Sequence, residues 1–239
     1  MEKELLYENL PPIRRARLNE GVVTRMKALI YSKELKVGEK LPSERDLASH
    51  LKVSRVTVRE ALRSLEQSGL VEIRPGITGG AFVVYNLQKP LFDCVYDLFR
   101  GGSLTLSHFT EARKTIECFS ISRAVENATE QSIDRLSRIN ENMVAGFDRE
   151  RFVAQNMAFH MTIAELSGNP LISLMMQALF DLLKRLRPDF VQRDKFIKDT
   201  FKRHKAIIEA LRQKDASLCE ELMAADVEHT RKLRNLEEK

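Results

Sequence analysis

From Ser43 onward, apolar residues recur at helical spacing in two short runs separated by a two-residue break. Leu47, Ala48 and Leu51 share one face of the first run, which opens on Ser43, Glu44 and Asp46. A hydroxyl followed by carboxylates satisfies the free N–H groups of a first turn, so this run is predicted to be a capped helix. Lys52-Val53 interrupts it. Ser54 then caps a second helix whose inward face is Val58, Ala61, Leu62 and Leu65, leaving Arg55, Val56, Thr57 and Arg59 on the outer surface of its first turn. Gly69 ends that helix. Val71–Ile73 and Ala81–Val84 are predicted to pair as a hairpin around Arg74-Pro75-Gly76-Ile77-Thr78-Gly79-Gly80, whose glycines let backbone approach a phosphate. Helix, tight turn, helix with a basic tip and glycine-rich hairpin, in that order, describe a winged helix-turn-helix.

After Tyr85 the pattern changes. Asn86–Pro90 reads as a short linker, and nothing beyond it alternates as a strand would. Residues 91–235 read instead as six or seven amphipathic helices, over 91–100, 106–128, 130–145, 149–167, 170–188, 193–213 and 215–235. Gly101-Gly102, Gly146, Gly168-Asn169-Pro170 and Lys214-Asp215 punctuate them. The expected fold is mostly α: a winged helix-turn-helix over 10–85, then an all-α antiparallel helical bundle over 91–235.

Composition narrows the function. At 239 residues the chain accommodates two domains with separate cores. No apolar run approaches the roughly 20 residues of a membrane span, and the opening MEKELLYENL lacks the order of a secretory signal. Cys94, Cys118 and Cys219 are odd in number, widely spaced and outside any CxxC pair, as expected of free thiols in a reducing cytoplasm. Residues 1–85 carry 15 Lys and Arg against 11 Asp and Glu, whereas the remainder carries 24 against 23. The basic excess thus sits on the segment that would meet phosphates.

Two arginines four residues apart at an exposed helix N-terminus suit a major groove, because guanidinium pairs bidentately with guanine or phosphate. In the helical half, Asn156 and His160 lie one turn apart on one face, and His204 and His229 fall on the last two predicted helices. Three imidazoles converging with an amide oxygen would hold a transition metal, but spacing alone does not bring them together. Arg113 and Glu117, at i and i+4, read by themselves as a surface ion pair. His50 and His108 fit no pattern. The basic run at 13–17 reads as a solvated arm, and 231–239 as a fraying helix end.

The first of these stretches resembles the GntR family of bacterial regulators. The resemblance rests on LPSERDLA from Leu41, SRVTVREAL from Ser54, and the Leu65–Val83 segment with its GITGGAFV wing, and it extends over about 10–85. The helical half resembles the FCD effector domain of the FadR-type branch, through FVAQNMAFHMTIAELSGNP from Phe152, RHKAIIEALRQKD from Arg203 and the turn ending at His229. That resemblance implies a divalent metal, zinc or nickel, on Asn156, His160, His204 and His229. Asparagine stands where aspartate is commoner, which should weaken metal binding and leave more of the ion's charge to attract anions. It also implies that Arg113, in the family's R-x-x-x-E pattern, points into an effector pocket. An arginine facing a metal would clamp a small carboxylate.

The combined expectation is a cytoplasmic, homodimeric transcription regulator on a palindromic operator. Arg55, Thr57 and Arg59 would reach bases and phosphates, Arg45 a phosphate, and Gly76 would sit at the wing tip in the minor groove. A carboxylate effector would change operator affinity. A metal-dependent enzyme using the three-histidine site is the rival from another class, but no acid stands beside those histidines in a base motif such as HExxH. A bundle that only dimerises is the third reading.

Overall fold

The computed structural model describes residues 16–145, 148–186 and 194–235. Residues 13–15 of the basic run, Gly146 and the last four residues of the tail lie outside them. Two compact units meet at Pro90/Leu91.

The first unit opens with α1 (Ala16–Tyr31), which buries Val22, Met26 and Ile30 at successive four-residue intervals. In α2 (Glu44–Leu51) the Ser43 hydroxyl accepts from Asp46 N–H, and Lys52 closes the helix in the left-handed region at φ 53°. Ser54 caps α3 (Arg55–Gln67) in the same way by accepting from Thr57 N–H, and Val58, Ala61, Leu62 and Leu65 turn inward. Gly69 follows at φ +71°, where a Cβ would lie 1.9 Å from the Asn86 carbonyl oxygen, so only glycine fits. β1 (Val71–Arg74) and β2 (Gly80–Val83) pair antiparallel, with Val71 opposite Val83 and Arg74 opposite Gly80. The segment from Gly38 to Leu41 adds backbone bonds to this hairpin: Leu41 N–H to Ala81 O, and Val83 N–H to Glu39 O, both 2.8 Å. Its sequence reads only as a connection. Its hydrogen bonds nevertheless close one edge of the wing, which an isolated two-stranded hairpin would leave open.

Among the described residues the second unit is all helix: α4 (Gln88–Arg100), α5 (Leu106–Asn127), α6 (Glu130–Val144), α7 (Arg149–Leu166), α8 (Pro170–Leu186), α9 (Asp194–Gln213) and α10 (Ala216–Asn235). α4 begins inside the expected Asn86–Pro90 linker. Pro90 occupies its first turn, where the missing N–H costs no helical bond. Thr105 and His108 form a capping box at α5, which gives His108 its role. α5 packs along α10 and α7, α6 along α7 and α9, and α9 along α10. One core gathers Ile121, Leu136, Phe159, Ile163, Ile207 and Met223 between them.

Candidate functional site

At the tip of the first unit, α2 and α3 present Arg45, Arg55 and Arg59 to solvent. Arg59 is held: its Nε and Nη2 donate to both carboxylate oxygens of Glu44, the Nη2 bond to Oε2 being 2.8 Å. The Arg59 hydrogen bond keeps the Glu44 carboxyl below its ordinary range, against a small opposing effect of burial. Thr57 departs from its expected place on the outer surface. It is buried, and its hydroxyl lies 2.8 Å from Ser54 Oγ, so it belongs to the helix cap. A side chain three residues into a helix leans back over the cap, which a wheel of residue positions does not register. Gly76 stands at the wing tip at φ +103° with open space around it, beside a fully exposed Ile77. Behind them Arg74 stacks over the Phe82 ring at 4.3 Å, and Lys40 Nζ donates to Thr78 O at 3.2 Å.

The second unit converges on a buried group of His160, His204 and Asp226, whose ligating atoms lie within 4.8 Å of one another. Asp226 Oδ2 is 3.5 Å from His160 Nε2 and 3.8 Å from His204 Nε2. Both separations are too long for hydrogen bonds. They are close to the spacing of about 3.4 Å between donors that each stand about 2.1 Å from a tetrahedral zinc ion. His160 Nε2 and both ring nitrogens of His204 are buried with no hydrogen-bond partner among the described residues, and such groups call for an ion or a ligand. The donor set of two imidazoles and a carboxylate therefore fits a divalent transition metal.

The electrostatics agree. Burial pushes His204 below its usual range, and the Asp226 carboxylate only partly offsets this, so the neutral, ligating form is favoured. Burial raises Asp226, but His204, His160 and Arg113 together outweigh it and bring the carboxyl down to about 2. Behind His160, Glu117 Oε2 lies 2.5 Å from Nδ1, and Glu117 Oε1 accepts from Arg113 Nε at 2.5 Å. Both partners of this i,i+4 pair are sealed inside, not on the surface as the spacing alone suggested. The carboxylate fixes the ring that presents Nε2 to Asp226. Burial raises Glu117 too, but the attraction of Arg113 and His160 leaves it lowered.

Of the four ligands implied by the resemblance, His160 and His204 come together. Asn156 lies one turn before His160 on α7, half-buried. His229 lies outside the group: it sits one turn beyond Asp226, and its ring stacks on Phe196 at 5.2 Å. Asp226 takes the place expected of a histidine on α10. It also supplies a carboxylate that the asparagine on α7 does not. Asp226 and His229 are three residues apart on one helical face, so the spacing offers both positions without choosing between them.

Residues 18–83 match the family described as "Bacterial regulatory proteins, gntR family", and residues 108–229 match the FCD domain. The HTH-type transcriptional repressor NanR of Citrobacter rodentium is 32% identical over 214 residues, covering 85% of this chain and 80% of that protein. The NanR repressor of Cronobacter sakazakii is 30% identical over 219 residues, with the same coverage of both chains. A solved Streptococcus agalactiae GntR structure shares the fold, with a TM-score of 0.72 over 90% of this chain and 99% of that one, at 24% identity. No described helix is long and apolar enough to cross a membrane. The chain belongs to the GntR family, in the FadR-type branch that carries an FCD domain, and is a DNA-binding transcriptional regulator, not an enzyme.

Proposed function

We propose that the protein is a cytoplasmic, homodimeric regulator that binds a palindromic operator and is controlled by a small carboxylate bound beside a divalent cation. Arg45, Arg55 and Arg59 would contact the operator from α2 and α3, with Gly76 carrying the wing backbone to the minor groove. His160, His204 and Asp226 would hold the cation, zinc or nickel, with the Asn156 amide oxygen as a neutral fourth donor. The bound ion supplies positive charge in a water-poor core. Arg113 would add a second cation, since its Nη2 is buried with no partner among the described residues. A carboxylate bridging the two would complete the hydrogen bonding of both.

The carrying observation is the set of buried, unpartnered nitrogens around Asp226. Control of DNA binding requires the effector to favour one operator-binding state over another. The test is operator affinity, on a site selected from random duplexes, for chelator-stripped, zinc-loaded and zinc-plus-acid protein at fixed salt. A library of small acids should contain one that changes affinity only when zinc is present. Identical affinity in all three states across the library would refute the scheme.

A further inference from the structure

The face of α9 that carries His204 continues one turn earlier to Thr200 and another turn to Phe196. Thr200 behaves unlike the other described helical threonines whose hydroxyls turn back on the helix. Thr110, Thr115 and Thr162 each donate to the carbonyl four residues earlier, at 2.9, 3.0 and 2.8 Å. The Thr200 side chain is as enclosed as those of Thr110 and Thr162, with the residue 3% exposed, yet its Oγ1 has no hydrogen-bond partner among the described residues. A buried hydroxyl without a partner has given up its water for nothing in return.

Its surroundings are fixed by the residues on either side. Phe196 stacks on His229 of α10 and meets Phe152 of α7 edge-on at 5.7 Å. His204 stands over His160 of α7 with ring centres 5.2 Å apart, and beside Asp226 of α10. Thr200 therefore lies in the layer between an aromatic group and the proposed cation site. Asn156 occupies the same layer, being one turn from His160 towards Phe152, whereas His229 belongs to the aromatic group.

We propose that Thr200 is a specificity-determining contact that takes a hydroxyl on the carbon chain of the effector. The ligand class is then a hydroxylated carboxylate, not a plain alkyl acid. This rests on the preceding reading, in which the carboxylate itself is held at the cation and Arg113. A hydroxyl both donates and accepts, so it satisfies Thr200 Oγ1 where a methylene would leave it orphaned.

The experiment is calorimetric titration of the zinc-loaded full chain with D-gluconate and with hexanoate, six-carbon acids with and without hydroxyls. The wild type should bind gluconate. Thr200→Val should weaken gluconate roughly five- to tenfold, the worth of one hydrogen bond. It should leave hexanoate no weaker and zinc affinity unchanged, and Thr200→Ser should restore gluconate binding. Undiminished gluconate binding by Thr200→Val, or equal weakening of both acids, overturns the Thr200 assignment. Loss of the wild type's acid binding on removal of zinc would still uphold the carboxylate site. If the wild type binds hexanoate but not gluconate, the hydroxyl assignment falls alone. If it binds neither, both fall.

Discussion

Arg113 and Glu117 are each about 3% exposed, and each would be an uncompensated charge without the other. Removing one member of such a pair costs about 3–5 kcal/mol. Arg113→Met should therefore lower unfolding free energy by about that much in urea titrations. It should also weaken zinc, because Glu117 then loses the group that holds it against His160. Conserving the shape with Glu117→Gln should weaken zinc about 10- to 100-fold in a chelator competition, as loss of a partner behind a ligand does. Unchanged zinc affinity in both variants would show that the carboxylate does not position the ring. How much of this could be read beforehand varies by residue. His160 and His204 stand out because the chain has only five histidines. Asp226 is one of 34 acidic residues, so nothing singles it out until α10 is laid against α7 and α9. A pattern of three imidazoles points to His229 instead, one turn away. The burial of Arg113 and Glu117 is equally invisible in an i,i+4 spacing that surface pairs share.

At the level of elements, α3 is where capping, packing and recognition meet. Its first turn divides by role: Thr57 closes the cap with Ser54, Arg59 is braced by Glu44, and Arg55 is exposed. Arg55→Ala should cost about 1–3 kcal/mol of operator affinity if it reads a base. If it meets only phosphate, the loss should be uniform across sequences and the salt slope should fall by about one. Its thermal midpoint should match the wild type. Thr57→Val should do the reverse, costing about 0.5–1.5 kcal/mol of stability through the lost hydroxyl bond to Ser54 Oγ. Filter binding and thermal melts separate the two. Helix ends were legible here because Ser43, Ser54 and Gly69 each solve a local hydrogen-bonding or backbone problem that sequence records. The pairing of Gly38–Leu41 with β2 was not, since it is a long-range contact made by a stretch without alternation. The start of α4 at Gln88 was hidden by Pro90, which marks a first helical turn as readily as a linker.

At the scale of the molecule, a basic winged unit and a helical unit with a polar heart make a regulator whose stability should carry the signature of that heart. Folding lowers His204 below its unfolded range, so its contribution is full above about pH 6.5 and declines as pH falls below it. Asp226 is also lowered, so its contribution holds above an unfolded value near 4 and is lost as pH falls towards about 2. Both act in one direction. Metal-free protein should show a level thermal midpoint above pH 7 and a falling one below pH 6.5, with the upper part of that fall reduced in His204→Gln. Protonation competes with zinc at the same nitrogens, so zinc should also leave as the solution is acidified. In the proposed site His160, His204 and Asp226, and not His229, hold the cation. Its most direct test is zinc affinity measured side by side for the wild type, Asp226→Asn and His229→Gln. Asp226→Asn should weaken zinc by at least about tenfold while His229→Gln stays within about twofold of the wild type; the opposite order would put His229, and not Asp226, on the cation.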